Sequence, residues 1–262
     1  MSLAFSAIVP HPPIIIPEIG KENIKRIKKT AEAYASLAKK FKESEATTII
    51  IISPHGPIQN DAFSINLNPE FHCNFENFGD FGVKKTWSGD VILAHKIKES
   101  MESEINLHLI SMPELDHGTS IPLCMLTDNL PEIKIIPIYY SNLNNAEHFN
   151  FGKLLKKEIV KSKERIAVLA SGDLSHKLTK DAPGGYSPKA KKFDKKIIEC
   201  LTEGKAKEII EIDEKLICEA GECGLKSIVT LLGVLDNVNY EPRLLSYEAP
   251  FGVGYLMMNF SL

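Results

Sequence analysis

Thr47-Thr48-Ile49-Ile50-Ile51-Ile52-Ser53-Pro54-His55-Gly56 decides how this chain folds. The four isoleucines make a short β-branched run of strand length, and Ser-Pro-His-Gly ends it. Runs of the same kind occur at Phe5–Val9, Lys134–Tyr140 and Arg165–Ala170. Between the first two lies Ile24–Phe41, apolar at Ile24, Ile27, Ala31, Tyr34, Leu37, Ala38 and Phe41. That 3.6-residue period predicts one amphipathic helix with a lysine-rich outer face. Helical patterns recur at Val91–Met101, Phe151–Val160, Phe193–Leu201 and Gly224–Leu235. Strand–helix alternation over this length predicts an α/β fold: a mainly parallel (mixed) central sheet with helices on both faces. Arg243–Glu248 and Gly254–Phe260 read as a closing antiparallel edge, and no repeat or linker divides residues 1–262 into more than one domain.

Two stretches break the pattern. Pro69–Trp87 carries four phenylalanines and a tryptophan among Gly, Asn and Asp, and reads as a long loop suited to a lid or binding surface. Asp181–Pro188 is the second loop.

Composition narrows the function. The 262 residues carry 31 Lys+Arg against 34 Asp+Glu, a net charge of −3, which gives no footprint for a nucleic-acid partner. The apolar runs are far below the ~20 residues that span a bilayer, so no membrane role is expected. Five cysteines, an odd number without a C-x-x-C pair, fit reduced thiols and a cytoplasmic address.

The histidines are the informative residues. His11 follows the first strand in Ile-Val-Pro-His-Pro-Pro, His55 the second, and His176 the Arg165–Ala170 strand in Ser-Gly-Asp-Leu-Ser-His. Parallel strands bring their carboxyl ends to one edge, where ligands bind, so three imidazoles far apart in sequence can converge there. His117, in Leu-Asp-His-Gly-Thr before the apolar Ser120–Leu126, can reach the same edge. Prolines beside His11 and His55 stiffen the backbone that aims each ring, and Asp116 and Asp173 are placed to orient rings through their second nitrogens. His72, His95, His108 and His148 lack such punctuation and read as ordinary structural histidines.

Neutral imidazoles suit Zn, Fe, Cu or Ni, and two histidines with one carboxylate make the open site of non-haem Fe(II) oxygenases. Glu222 at the start of the late apolar helix and Glu248 are the carboxylate candidates, with Cys223 as the soft alternative. An acidic residue at a helix start is equally a cap.

Pro10-His11-Pro12, Ser53-Pro54-His55-Gly56, Leu115-Asp116-His117-Gly118-Thr119 and Gly172-Asp173-Leu174-Ser175-His176 together resemble the LigB-like catalytic subunits of class III extradiol ring-cleavage dioxygenases. Glu222-Cys223-Gly224 and Leu245–Tyr255 look like a branch found with radical-SAM proteins and related to Memo. The resemblance spans the chain. It implies that His11 and His55 ligate Fe(II), with Zn or Cu as other occupants. It also implies that His176 is the acid–base group and that His117 lies near the substrate. Glu222 is the favoured third ligand, because a hard carboxylate suits Fe(II) and O2 chemistry; relatives of the Memo kind place a cysteine there. The implied substrate is an aromatic diol or aminophenol with O2. The alternative is a Memo-like metal-binding or redox protein beside a radical-SAM partner, without ring cleavage. Zn-assisted hydrolysis is a third possibility. The branch commonly carries a second C-terminal domain, here a separate partner or a missing part, and a homo-oligomer is expected.

Overall fold

Ile49–Ile52 lies in a strand whose residues point alternately to two separate cores: Ile49 and Ile51 to one, Ile50 and Ile52 to the other. This is why the run is apolar at every position. The computed structural model describes residues 2–128, 130 and 132–262. Among them the strands are β1 Leu3–Val9, β2 Thr48–Ser53, β3 Phe63–Asn66, β4 Glu70–Cys73, β5 Thr86–Gly89, β6 Leu107–Ile110, β7 Glu114–Leu115, β8 Lys134–Tyr139, β9 Ile166–Ser171, β10 Glu241–Glu248 and β11 Tyr255–Ser261. The helices are α1 Pro17–Gly20, α2 Lys28–Glu43, α3 Val91–Met101, α4 His117–Leu126, α5 Asn145–Lys161, α6 Ala190–Thr202, α7 Ala206–Ile210, α8 Glu214–Ala220 and α9 Leu225–Val234.

The sheet runs β10-β11-β1-β9-β2-β8-β5-β4-β7, with β3 against β8 and β6. Its centre, β1-β9-β2-β8, is parallel throughout. β11 is antiparallel to β1, and β10 to β11, so the predicted antiparallel edge is present. One face packs on α3, α5, α6 and α9, the other on α2 and α4. The expected α/β fold with both faces covered is the observed one. No helix among the described residues is long and apolar enough to cross a membrane.

Two expectations need correction. Ile24–Phe41 is not one helix: a 3₁₀ segment, Lys21–Ile27, precedes α2, and Ile27 breaks regularity with φ −113° and ψ 36°. A distant side chain makes the new start possible. Glu248 Oε1 accepts from both Thr30 N and Thr30 Oγ1 at 2.7 Å, capping α2 from the far edge of the sheet. Pro69–Trp87 is not one loop either. It contains β4 and the first half of β5, paired antiparallel with Phe71 opposite Trp87, and only the tip between them lacks strand structure. Asp181–Pro188 does lack regular structure.

Candidate metal centre

β1, β9 and β2 are neighbours and parallel, so their carboxyl ends meet on one edge. His11 leaves β1 two residues past its end, and His55 leaves β2 likewise. Their Nε2 atoms lie 3.0 Å apart. Cys223, just before α9, puts its Sγ 3.6 Å from His11 Nε2. The three donor atoms all lie within 4.8 Å of one another.

The buried ring of His11 is oriented by a residue that its sequence neighbourhood does not advertise. His11 Nδ1 is 2.9 Å from Ser171 Oγ, the last residue of β9. The Ser171 hydroxyl donates its single proton to the Gly118 carbonyl. Nδ1 must then carry the hydrogen and donate to Oγ, which leaves Nε2 as a bare lone pair facing His55 and Cys223. Asp173 does not hydrogen-bond the second ring nitrogen as expected; its Oδ1 accepts from the His11 main-chain N–H at 3.0 Å, and its Oδ2 lies 3.9 Å from His11 Nε2.

Cys223 is set by direct backbone contact. Asp173 O accepts from Cys223 N at 3.3 Å and Gly224 N at 3.0 Å, while Cys223 Sγ accepts from Asp173 N at 3.3 Å. Gly172 and Gly224 make this approach possible: a Cβ on Gly172 would lie 2.1 Å from Gly224 Cα. Glu222 points elsewhere. Its carboxylate accepts from Leu225 N, the capping role, and burial raises its pKa to about 7. Glu248 caps α2 and is not among the three clustered donors. The third position of the cluster is therefore a thiol.

His117 opens α4, stacked on His55 with ring centroids 4.1 Å apart and edge-on to His11 at 5.3 Å. Asp116 does not orient its ring; it caps the helix through Thr119 N at 3.0 Å and accepts from Ser53 Oγ. His176 hangs from the segment after β9, its main-chain N–H on Ala220 O and its ring Nδ1 buried without a partner. Of the hairpin aromatics, Phe71, Phe75 and Trp87 are core, whereas Phe78 places its ring 5.3 Å from His117. One residue of the expected lid thus reaches the site. The other histidines lie elsewhere; His148 is buried, with Nδ1 donating to Asn144 O at 2.8 Å and Nε2 facing Ser141 N.

A model of the catalytic LigB subunit of aromatic ring-opening dioxygenase matches residues 6–258. The chain belongs to the LigB family. It is 34% identical over 268 residues to protein CA_C1420 of Clostridium acetobutylicum, covering 98% of this chain and 57% of that one. This LigB chain therefore spans little more than half the length of that relative. It is 24% identical over 270 residues to the 3,4-dihydroxyphenylacetate 2,3-dioxygenase of Escherichia coli, covering 95% of this chain and 96% of the enzyme. Its fold matches the crystal structure of the uncharacterized protein JW3007 from Escherichia coli K12 with a TM-score of 0.69 at 15% identity, over 97% and 98% of the two chains.

Electrostatics at the LigB site point towards a cation. Burial, then His55, His117 and His176, hold the His11 pKa well below its usual value. Burial and His117 hold His55 at about 4, so both rings are neutral near pH 7. Burial lifts Asp173 to about 7 and pushes the Cys223 thiol far up. Bare imidazole nitrogens and a thiol clustered together, with His11 buried, Cys223 partly buried and His55 exposed at the rim, are a set that a metal ion satisfies, deprotonating the thiol as it binds. Two nitrogens 3.0 Å apart suit one ion at about 2.0–2.1 Å from each.

Proposed function

We propose that this LigB-family chain is a metal-dependent oxidoreductase whose ion is held by His11, His55 and Cys223. A single observation carries the reading: the thiol of Cys223, rather than a carboxylate, completes the cluster with the two imidazoles. A thiolate with two imidazoles favours copper or zinc over the two-histidine, one-carboxylate set of Fe(II) oxygenases. The site therefore fits a metal-binding redox protein of the Memo-like kind better than an Fe(II) ring-cleaving enzyme. In such a site the bound metal would supply the electron-transfer or Lewis-acid chemistry. The protein's part is to hold the ligands rigidly and to keep His117 and His176 neutral beside them. Burial lowers both pKa values, so each ring can accept a proton near pH 7.

A second reading, ring opening of a catechol- or aminophenol-type compound with Fe(II) and O2, draws on different observations. His176 lies close enough to His11 and His55 to lower the pKa of both, a position from which its ring could take a hydroxyl proton and return it, and His117 has Phe78 edge-on at 5.3 Å, an aromatic pair beside which a flat ring can sit. The dioxygenase relative supports this reading through its name. We further propose a cytoplasmic setting, and a second domain or separate partner standing where the longer relative has additional chain.

The deciding experiment is elemental analysis with X-ray absorption on protein purified anaerobically, followed by oxygen uptake on a catechol panel. Stoichiometric copper or zinc with a sulfur neighbour, and no diol-dependent uptake, is the expected result. Iron with only nitrogen and oxygen neighbours, together with catechol-dependent uptake, would overturn it in favour of ring cleavage.

A further inference from the structure

We infer, on the metal reading proposed above, that the first turn of α4 positions both histidine ligands: Asp116 acts on His55 through Ser53, and Gly118 acts on His11 through Ser171. None of these four residues is among the three clustered donors; each acts through a histidine. Ser53 closes β2 and Ser171 closes β9, and both are fully buried. Ser53 Oγ accepts from His55 N at 3.4 Å and donates to Asp116 Oδ1 at 2.5 Å. Ser171 Oγ accepts from His11 Nδ1 at 2.9 Å and donates to the Gly118 carbonyl. The two relays have one form. A serine hydroxyl has a single proton, so giving it to α4 leaves the lone pair that receives the histidine N–H.

The α4 end of each relay is fixed. Asp116 Oδ1 also accepts from Thr119 N at 3.0 Å, and Oδ2 from Thr119 Oγ1 at 2.7 Å. Asp116 O accepts from Ser120 N at 2.8 Å, and Thr119 and Ser120 are fully buried. Gly118 lies between the relays with no room for a side chain. A Cβ there would sit 2.7 Å from Ser53 Oγ and 3.1 Å from His55 Cδ2. His117 adds ring contact with both histidines, stacked within 24° of parallel on His55 and edge-on to His11. Three consecutive residues of one turn thus reach the pair by a carboxylate, a ring and a carbonyl.

The 3.0 Å separation of the two Nε2 atoms is therefore set from a single element, whereas Cys223 is set by its backbone contact with Asp173. An aspartate that neighbours His117 in sequence serves His55 instead, through a serine 63 residues away.

The test reads the histidine ring signals of metal-free protein by NMR, and zinc affinity by chelator competition. Ser53→Ala should move chiefly the His55 signals, Ser171→Ala chiefly those of His11, and Gly118→Ala both. Ser53→Ala should weaken zinc binding by about 10–100-fold, the usual effect of losing an outer partner. Asp116→Asn keeps an oxygen for Ser53 Oγ and Thr119 N, and should bind zinc like wild type. Asp116→Ala should lose as much affinity as Ser53→Ala. If Gly118→Ala or Asp116→Ala fails to fold, Ser53→Ala decides, because it leaves the α4 cap in place. A merely structural role predicts a lower melting temperature with wild-type ring signals and zinc affinity in the folded variants, and that result overturns the inference. Should wild-type protein bind neither zinc nor copper, the metal reading fails, while the ring signals still decide whether α4 positions the pair.

Discussion

Strand β2 begins and ends in polar surroundings, and its two ends behave differently. At its start Thr48 Oγ1 donates to Asp90 Oδ2 at 2.9 Å, and Asp90 Oδ1 accepts from Leu93 N at 3.1 Å to cap α3. Both carboxylate oxygens there have partners from the protein itself. At its other end His55 faces His11 and His117, with ring centroids 4.1–4.8 Å away. Neighbours that could all become cations crowd together there, and their neutrality leaves lone pairs pointing at one another. The first end converts buried polarity into stability. The second holds ring nitrogens in reserve for a cation at an edge that solvent reaches.

Removing a ligand should separate the two ends most sharply. His11→Ala, His55→Ala and Cys223→Ser should each weaken metal binding by well over ~100-fold in chelator competition, beyond the ~10–100-fold typical of losing an outer partner. Their melting temperatures without metal should stay close to wild type. Glu222→Gln should keep its metal; if it empties the site while Cys223→Ser does not, the carboxylate is the third ligand. Ser171→Ala, which frees His11 Nδ1 from its fixed partner, should lower metal affinity by about 10–100-fold without changing the melt. At the opposite end the pattern should invert. Asp90→Ala should cost about 1–2 kcal/mol of stability through the lost cap, read as a lower melting temperature, with metal affinity unchanged. Metal loss in that variant would show that the two ends are not independent.

The smallest effect concerns acid. His148 is held at about 4 by burial against an ordinary 6.5, so below pH 6.5 the unfolded chain takes up a proton that the fold refuses. Stability contributed by the neutral ring is complete above 6.5 and is lost as pH falls towards 4. Asp173 and Glu222, raised to about 7, act oppositely across an overlapping range, because the fold keeps protons that the unfolded chain releases. In metal-free protein, His148→Gln should therefore flatten the acid limb of urea stability measured from pH 7 to 4. An unchanged limb would mean that His148 contributes nothing to acid unfolding.

The central sheet was legible because period and punctuation agree: Ile49–Ile52 is apolar on two faces and Pro54 stops it. The convergence of His11 and His55 followed from the same strand ends. What local sequence could not show were contacts made across long separations. The break before α2 depends on Glu248, which lies 218 residues from Thr30. The hairpin hidden in Pro69–Trp87 depends on Phe71 meeting Trp87 across the sheet. Glu222 and Cys223 are adjacent, so only the backbone pairing of Asp173 O with Cys223 N and Gly224 N distinguishes the capping residue from the one facing the histidines. Ser171 carried a weak signal, a hydroxyl closing an apolar strand just before Gly172 and Asp173.

The contact of Gly172 with Gly224 has a consequence for how the ion arrives. Because the end of β9 and the start of α9 lock together main chain to main chain, the backbone of Cys223 is held by contacts that need no metal. Loading should then be a docking event rather than a folding event. It should run at a rate set by ligand access and proton release, stripping should be reversible, and the emptied protein should be a durable receptor awaiting its cargo.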